Sequence, residues 1–156
     1  MNNKKQSPCH RIVTPKRSRT KKTPIDSSAE DAYRDFLKVD TFALGLVGIH
    51  GRPSLGEKLY RAVAASPNAL QLFTDALTSG TPTAKLYALC GIRMLILARY
   101  AAYANPLMKS GGRVDTMRGC RGETESVSKI VERISKGVYD ERLERILMEV
   151  LYYDGK

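Results

Sequence analysis

The residue types that do chemistry are sparse in this chain, which holds two histidines and three cysteines. His10 falls in a basic, proline-containing stretch, and His50 lies in Gly48-Ile-His-Gly-Arg-Pro53. Neither has a second His, a Cys or a carboxylate pair at ligand spacing, so no metal site is expected. Pairing Cys90 or Cys120 with His50 would give a thiolate nucleophile and its base, but the local signatures of such enzymes are missing. Ser126-Val-Ser-Lys129 has the Ser-x-x-Lys spacing of penicillin-binding enzymes without their Ser-Asp-Asn and Lys-Thr-Gly companions. Gly45-x-x-Gly48-x-x-Gly51 has the wrong spacing for a dinucleotide loop, and Gly111-Gly112-Arg113 lacks the Gly-Lys-Ser/Thr of a phosphate loop. The acids fall on solvated helix faces rather than in a general acid–base pair. The expectation is a non-enzymatic protein with no catalytic residue, no cofactor and no metal.

Charge is the stronger signal. The 156 residues carry 26 Lys and Arg against 16 Asp and Glu, a formal net charge of +10. Eight of the cations and none of the acids lie in residues 1–24, which leaves 18 against 16 for the rest. Within that stretch Lys16, Arg17, Arg19, Lys21 and Lys22 form a candidate polyanion-binding or targeting arm. Such a tract releases counterions from a nucleic acid and binds it weakly and without sequence preference. It has no interleaved aromatics for base stacking. Two further basic groups stand out. Arg113, Arg118 and Arg121 lie in 105–123, which is read as a long irregular loop of the kind that serves as a contact site. Lys85, Arg93 and Arg99 fall at about 0°, 80° and −40° on one continuous helix and so share a face. On that face they either pair with acids such as Glu57, Asp75 or Glu125, or form a basic groove.

These residues need a scaffold, and the pattern predicts helices throughout. Residues 1–26 contain too few apolar side chains to offset ordering and are expected to be a disordered arm; 27–156 form one domain. Ser27 or Ser28 can cap a helix over about 29–39. Ser54-x-x-Glu57 is a capping box. Ser66-Pro67 and Thr81-Pro82 are start signals with proline in the first turn. Val127, Ile130, Val131 and Ile134, then Leu143, Ile146, Leu147, Val150 and Leu151, are apolar stripes at helical spacing, with Gly137 closing the first and Asp140 opening the second. The longest element is an apolar helix over 83–103, ended by Asn105-Pro106. Arg93 near its middle argues against a membrane span. The fold class expected is all-α: a compact orthogonal bundle or short stack of five to six helices around 83–103, with no strand. Residues 41–51 are left as a short helix or a packed loop.

Cys90 lies in an apolar run and reads as a buried reduced thiol; a Cys90–Cys120 disulfide is the alternative for an exported protein. No secretory signal is evident, which favours a soluble protein of the cytoplasm, or of the nucleus in a eukaryotic cell.

Ser66-Pro-x-Ala69, a helix of about ten residues, and Thr81-Pro-x-Ala-Lys-Leu-Tyr-Ala-Leu-Cys-Gly-Ile92 resemble a helical-hairpin unit of the HEAT-type α-repeats. The resemblance covers about 40 residues without a second regular copy. It implies a helical stack with a protein-binding surface. The function expected is therefore a protein-interaction module (adaptor, inhibitor or effector-like) whose partner is another protein. An accessory nucleic-acid-binding protein that uses the arm, and an exported disulfide-bonded domain, are the alternatives.

Overall fold

The computed structural model describes residues 24–153. Among them are seven α-helices, one 3-10 turn and five strands. In order they are α1 (Pro24–Phe36), β1 (Thr41–Phe42), β2 (Leu46–Val47), β3 (Arg52–Pro53), α2 (Leu55–Ala64), α3 (Ala69–Ser79), α4 (Pro82–Leu95), the 3-10 turn Leu97–Arg99, α5 (Tyr100–Lys109), β4 (Arg113–Arg118), β5 (Arg121–Ser126), α6 (Val127–Ser135) and α7 (Asp140–Tyr153).

The expectation of an all-α fold of five to six helices is corrected by seven helices and by the strands. β1 runs parallel to β4, with Thr41 opposite Asp115, and β4 pairs antiparallel with β5 from Arg113–Ser126 to Arg118–Arg121. The reason lies in local chemistry that the reading of 105–123 as an irregular loop passed over. Val114 and Thr116 are buried while Arg113 and Asp115 are exposed, the period of two that a half-buried strand requires. Gly119 and Cys120 make a two-residue turn in which Gly119 has φ +55. A glycine at the first central position gives the tight turn whose twist matches a hairpin. β2 and β3 form a second small antiparallel ribbon, so 41–51 is neither a helix nor a plain loop.

The long helix over 83–103 is also corrected. α4 stops at Leu95, and Ile96 leaves the helical region with φ −143 and ψ 62. The break serves burial. Leu86, Tyr87, Ala88, Leu89, Cys90 and Ile92 are all fully covered at the centre of the molecule. Tyr100, Ala104 and Leu107 of α5 are covered on one side only, against α6, where the Tyr100 hydroxyl meets Ser135 Oγ at 2.9 Å. A turn between the two halves lets each bury its own apolar set. α5 then runs through Pro106 to Lys109 instead of ending before it.

The first helix is corrected too: α1 begins at Pro24, ahead of the expected Ser27 or Ser28 cap and inside the expected arm, and ends at Phe36 rather than 39. Pro67 lies before α3, which starts at Ala69, rather than in its first turn. Several predicted boundaries hold. Ser54 caps α2, accepting from Glu57 N at 3.0 Å, and Thr81 caps α4, accepting from Ala84 N at 3.1 Å. α6 begins after Ser126, and Gly137 follows its end at φ +74. The core is an aromatic cluster around α4. Phe42 and Tyr87 have centroids 4.8 Å apart, Tyr60 and Phe73 5.4 Å, and Phe36 and Phe73 6.1 Å. Gly91 lets α4 close on α3, since a Cβ there would overlap the Phe73 ring.

Candidate functional site

The hairpin β4–β5 and helix α6 enclose a recess of about 330 Å³ lined by Thr116, Arg118, Arg121, Glu123, Glu125, Lys129 and Arg133. No apolar side chain lines it. The placement follows from three local features. The turn at Gly119 brings Arg118 opposite Arg121. Strand alternation puts Thr116 and Arg118 on one face of β4, with Thr116 buried and both arginines exposed at the turn end. Helical spacing puts Lys129 and Arg133 on one side of α6.

Four cations face two acids, and both acids are engaged. Glu125 lies 2.7 Å from Arg133 Nη2 and 3.7 Å from Lys129 Nζ, and Thr116 Oγ1 donates to it at 3.1 Å. The Arg133 guanidinium holds the Glu125 carboxyl below the usual carboxylate range, against the opposing effect of burial. Glu123 pairs with Arg121 at 3.2 Å, both exposed. Arg118 has no carboxylate within 4 Å among the described residues; it lies near Tyr139, whose pKa is pushed up by burial and pulled back by the nearby arginines. Arg133 Nε is covered and has no hydrogen-bond acceptor.

The second ribbon meets this hairpin at its tip. Gly48 N donates to Gly119 O at 2.8 Å, and Val47 bridges to Gly119. Ile49, on the neighbouring turn, is 91% exposed.

Of the predicted contact residues, Arg118 and Arg121 meet in the recess. Arg113 lies outside its lining, and its Nη2 donates to Thr124 O at 2.7 Å across the hairpin. Lys85, Arg93 and Arg99 share no helix face, because α4 ends between the last two. Arg93 forks onto Asp140 through Nε and Nη2, both at 2.8 Å, and lies over the Tyr100 ring. That bond holds the Asp140 carboxyl low. Lys85 is half-buried on α4, and Arg99 is exposed in the 3-10 turn. Cys90 is buried, with its thiol pushed up by burial, and Cys120 is exposed at the hairpin turn; both are free thiols. Lys16, Arg17, Arg19, Lys21 and Lys22 lie outside the described residues.

Lys129 and Arg133 were missed as site residues. Read as part of an amphipathic helix, they are only its polar face. Their spacing of four after Glu125 and Lys129 was the available signal, but it acquires meaning only when the hairpin folds over them.

A second cluster is structural. Glu57 is fully buried. It accepts from Gly45 N at 2.7 Å, from Arg61 Nη2 at 3.0 Å, and from Arg142 through Nε at 3.2 Å and through Nη2. Arg61 also pairs with Glu149. The predicted capping box is therefore half made: Ser54 serves Glu57 N, but the Glu57 carboxylate binds two arginines and a distant backbone amide.

A recess of about 340 Å³ also lies between the end of α1 and the start of α2, partly walled by Val39, Leu55 and Leu59. Among the described residues no group of three or more His, Cys, Asp and Glu is placed to hold a metal ion. None of the described helices is long and apolar enough to cross a membrane. Compared with family models, curated proteins and solved structures, the chain matches none.

Proposed function

We propose that this protein is a non-enzymatic interaction module whose hairpin recess receives an acidic segment of another protein. The observation that carries this reading is the lining itself: Arg118, Arg121, Lys129 and Arg133 surround a concavity in which both acids are already paired. A carboxylate-bearing chain would replace water around Arg118 and Arg121 with charge-assisted hydrogen bonds. The exposed cations would steer its approach.

The test is fluorescence anisotropy of a labelled oligoglutamate peptide with the full chain, at low and at physiological salt. Binding is expected to be salt-dependent and to weaken by about tenfold or more in the double variant R118E/R121E, because reversal places like charges face to face. Circular dichroism of the variant checks that it is folded. No binding by the native chain would overturn the reading. So would binding that survives R118E/R121E and is lost when Lys16, Arg17, Arg19, Lys21 and Lys22 are neutralised.

The second reading, accessory nucleic-acid binding through the arm, is favoured by eight cations without an acid in residues 1–24. It predicts that the arm-neutralised variant loses affinity for random-sequence DNA and that R118E/R121E keeps it. Equal binding by native and arm-neutralised protein would reject it.

A further inference from the structure

The charge balance of the recess is more specific than a basic patch requires. Its lining carries four cations and two acids, an excess of two positive charges. Both acids are already engaged by cations of the wall. Glu125 already receives Arg133, Thr116 and Lys129, and Glu123 receives Arg121. What remains is a surplus of donors. Arg118 is exposed with no carboxylate beside it, and Lys129 is held only at 3.7 Å by a carboxylate shared with Arg133. The matching ligand brings about two negative charges and several acceptor oxygens in a small volume. A single carboxylate brings one charge and two oxygens. A phosphate monoester near neutral pH brings close to two charges and three oxygens. Arginine forks favour that geometry.

We infer that the recess formed by Arg118, Arg121, Lys129 and Arg133 takes the phosphate monoester of a phosphorylated side chain in a partner's acidic segment. The inference rests on the reading above that the recess docks such a segment, and narrows it to one group. Arg118 and Arg121 approach from the hairpin and Lys129 from α6, so the phosphate sits between two elements whose relative position is fixed by Arg133–Glu125. Glu125 acts as a positioning residue: it keeps Arg133 oriented and does not meet the phosphate.

The experiment compares three peptides of one acidic sequence, carrying at the central position serine, glutamate or phosphoserine, with phenyl phosphate as a fourth ligand. Each is titrated into the isotopically labelled full chain and followed by amide shifts. The phosphoserine peptide is expected to bind about tenfold more tightly than the glutamate peptide, the order expected from stronger charge-assisted bonds. Shifts should centre on 116–125 and 129–133. The advantage should vanish in R118Q and shrink in K129Q, two exposed positions whose neutralisation leaves the core untouched. Equal affinity for the phosphoserine and glutamate peptides overturns the phosphate assignment while the acidic-segment reading stands. Binding by no peptide overturns both. Phenyl phosphate binding as tightly as the phosphopeptide moves the site to small phosphate esters and overturns the peptide assignment.

Discussion

Two buried polar side chains show opposite economies. The Tyr60 hydroxyl is covered and has no hydrogen-bond partner, and burial pushes its pKa up. A buried donor left unsatisfied costs about 1–3 kcal/mol, so Tyr60→Phe is expected to raise stability by about 1 kcal/mol, seen as a higher urea midpoint at unchanged m-value. A lower midpoint would show that the hydroxyl has a partner in solution. Glu57 is the reverse case, since three groups converge on its carboxylate. Glu57→Gln leaves Arg61 and Arg142 facing a neutral amide. Breaking a buried pair in this way destabilises by about 3–5 kcal/mol. The same urea titration reads it, and a loss below about 1 kcal/mol would show the cluster to be solvent-screened.

At the scale of elements, proline in α5 makes a sharp case. Pro106 lies inside the helix and is exposed, and the carbonyl it leaves unpaired belongs to Ala102, which faces solvent. Water can serve that carbonyl, so the chain continues where the sequence reading stopped it. Pro106→Ala restores the bond and is expected to stabilise by about 1–2 kcal/mol, less than the roughly 3 kcal/mol of intrinsic propensity because proline also restrains the unfolded chain. Thermal melting measures it. How far elements were legible followed from how local their causes are. Ser54 and Thr81 announce α2 and α4 because a cap acts within one turn. The hairpin was legible in principle from Val114, Thr116 and Gly119, but β1 joins it across 70 residues of chain, and no local pattern states that pairing. The break at Ile96 has no marker such as glycine or proline; packing against α6 decides it. The site shows the same division. Arg118 and Arg121 were visible as a basic pair, while Lys129 and Arg133 became site residues only through tertiary folding.

At the scale of the whole molecule, α7 is docked by ion pairs to parts of the chain far earlier: Arg142 to Glu57, Glu149 to Arg61, and Asp140 to Arg93. Leu143 and Ile146 beneath them are fully buried. Asp140 and Glu125 ionise more readily in the folded protein than in the unfolded chain, because Arg93 and Arg133 favour their charged forms. The unfolded chain therefore binds more protons as pH falls past the ordinary carboxylate value of about 4. Their contribution is fully present above that value and is lost as pH falls through the lower folded values. Stability should decline on the acid side of about pH 4, and the decline should be shallower in the D140N/E125Q variant. Denaturant titrations from pH 6 downward test it, and parallel slopes for the two proteins would refute it.

The Glu57 carboxylate that receives Arg142 from α7 also receives the Gly45 amide at the foot of the β2–β3 ribbon. One backbone proton near the beginning of the domain thus reports the state of its last helix. Loosening of α7, by truncation, a fused tag or a bound partner, would surface as faster deuterium uptake at Gly45, a readout located where no one probing the C-terminus would place a sensor.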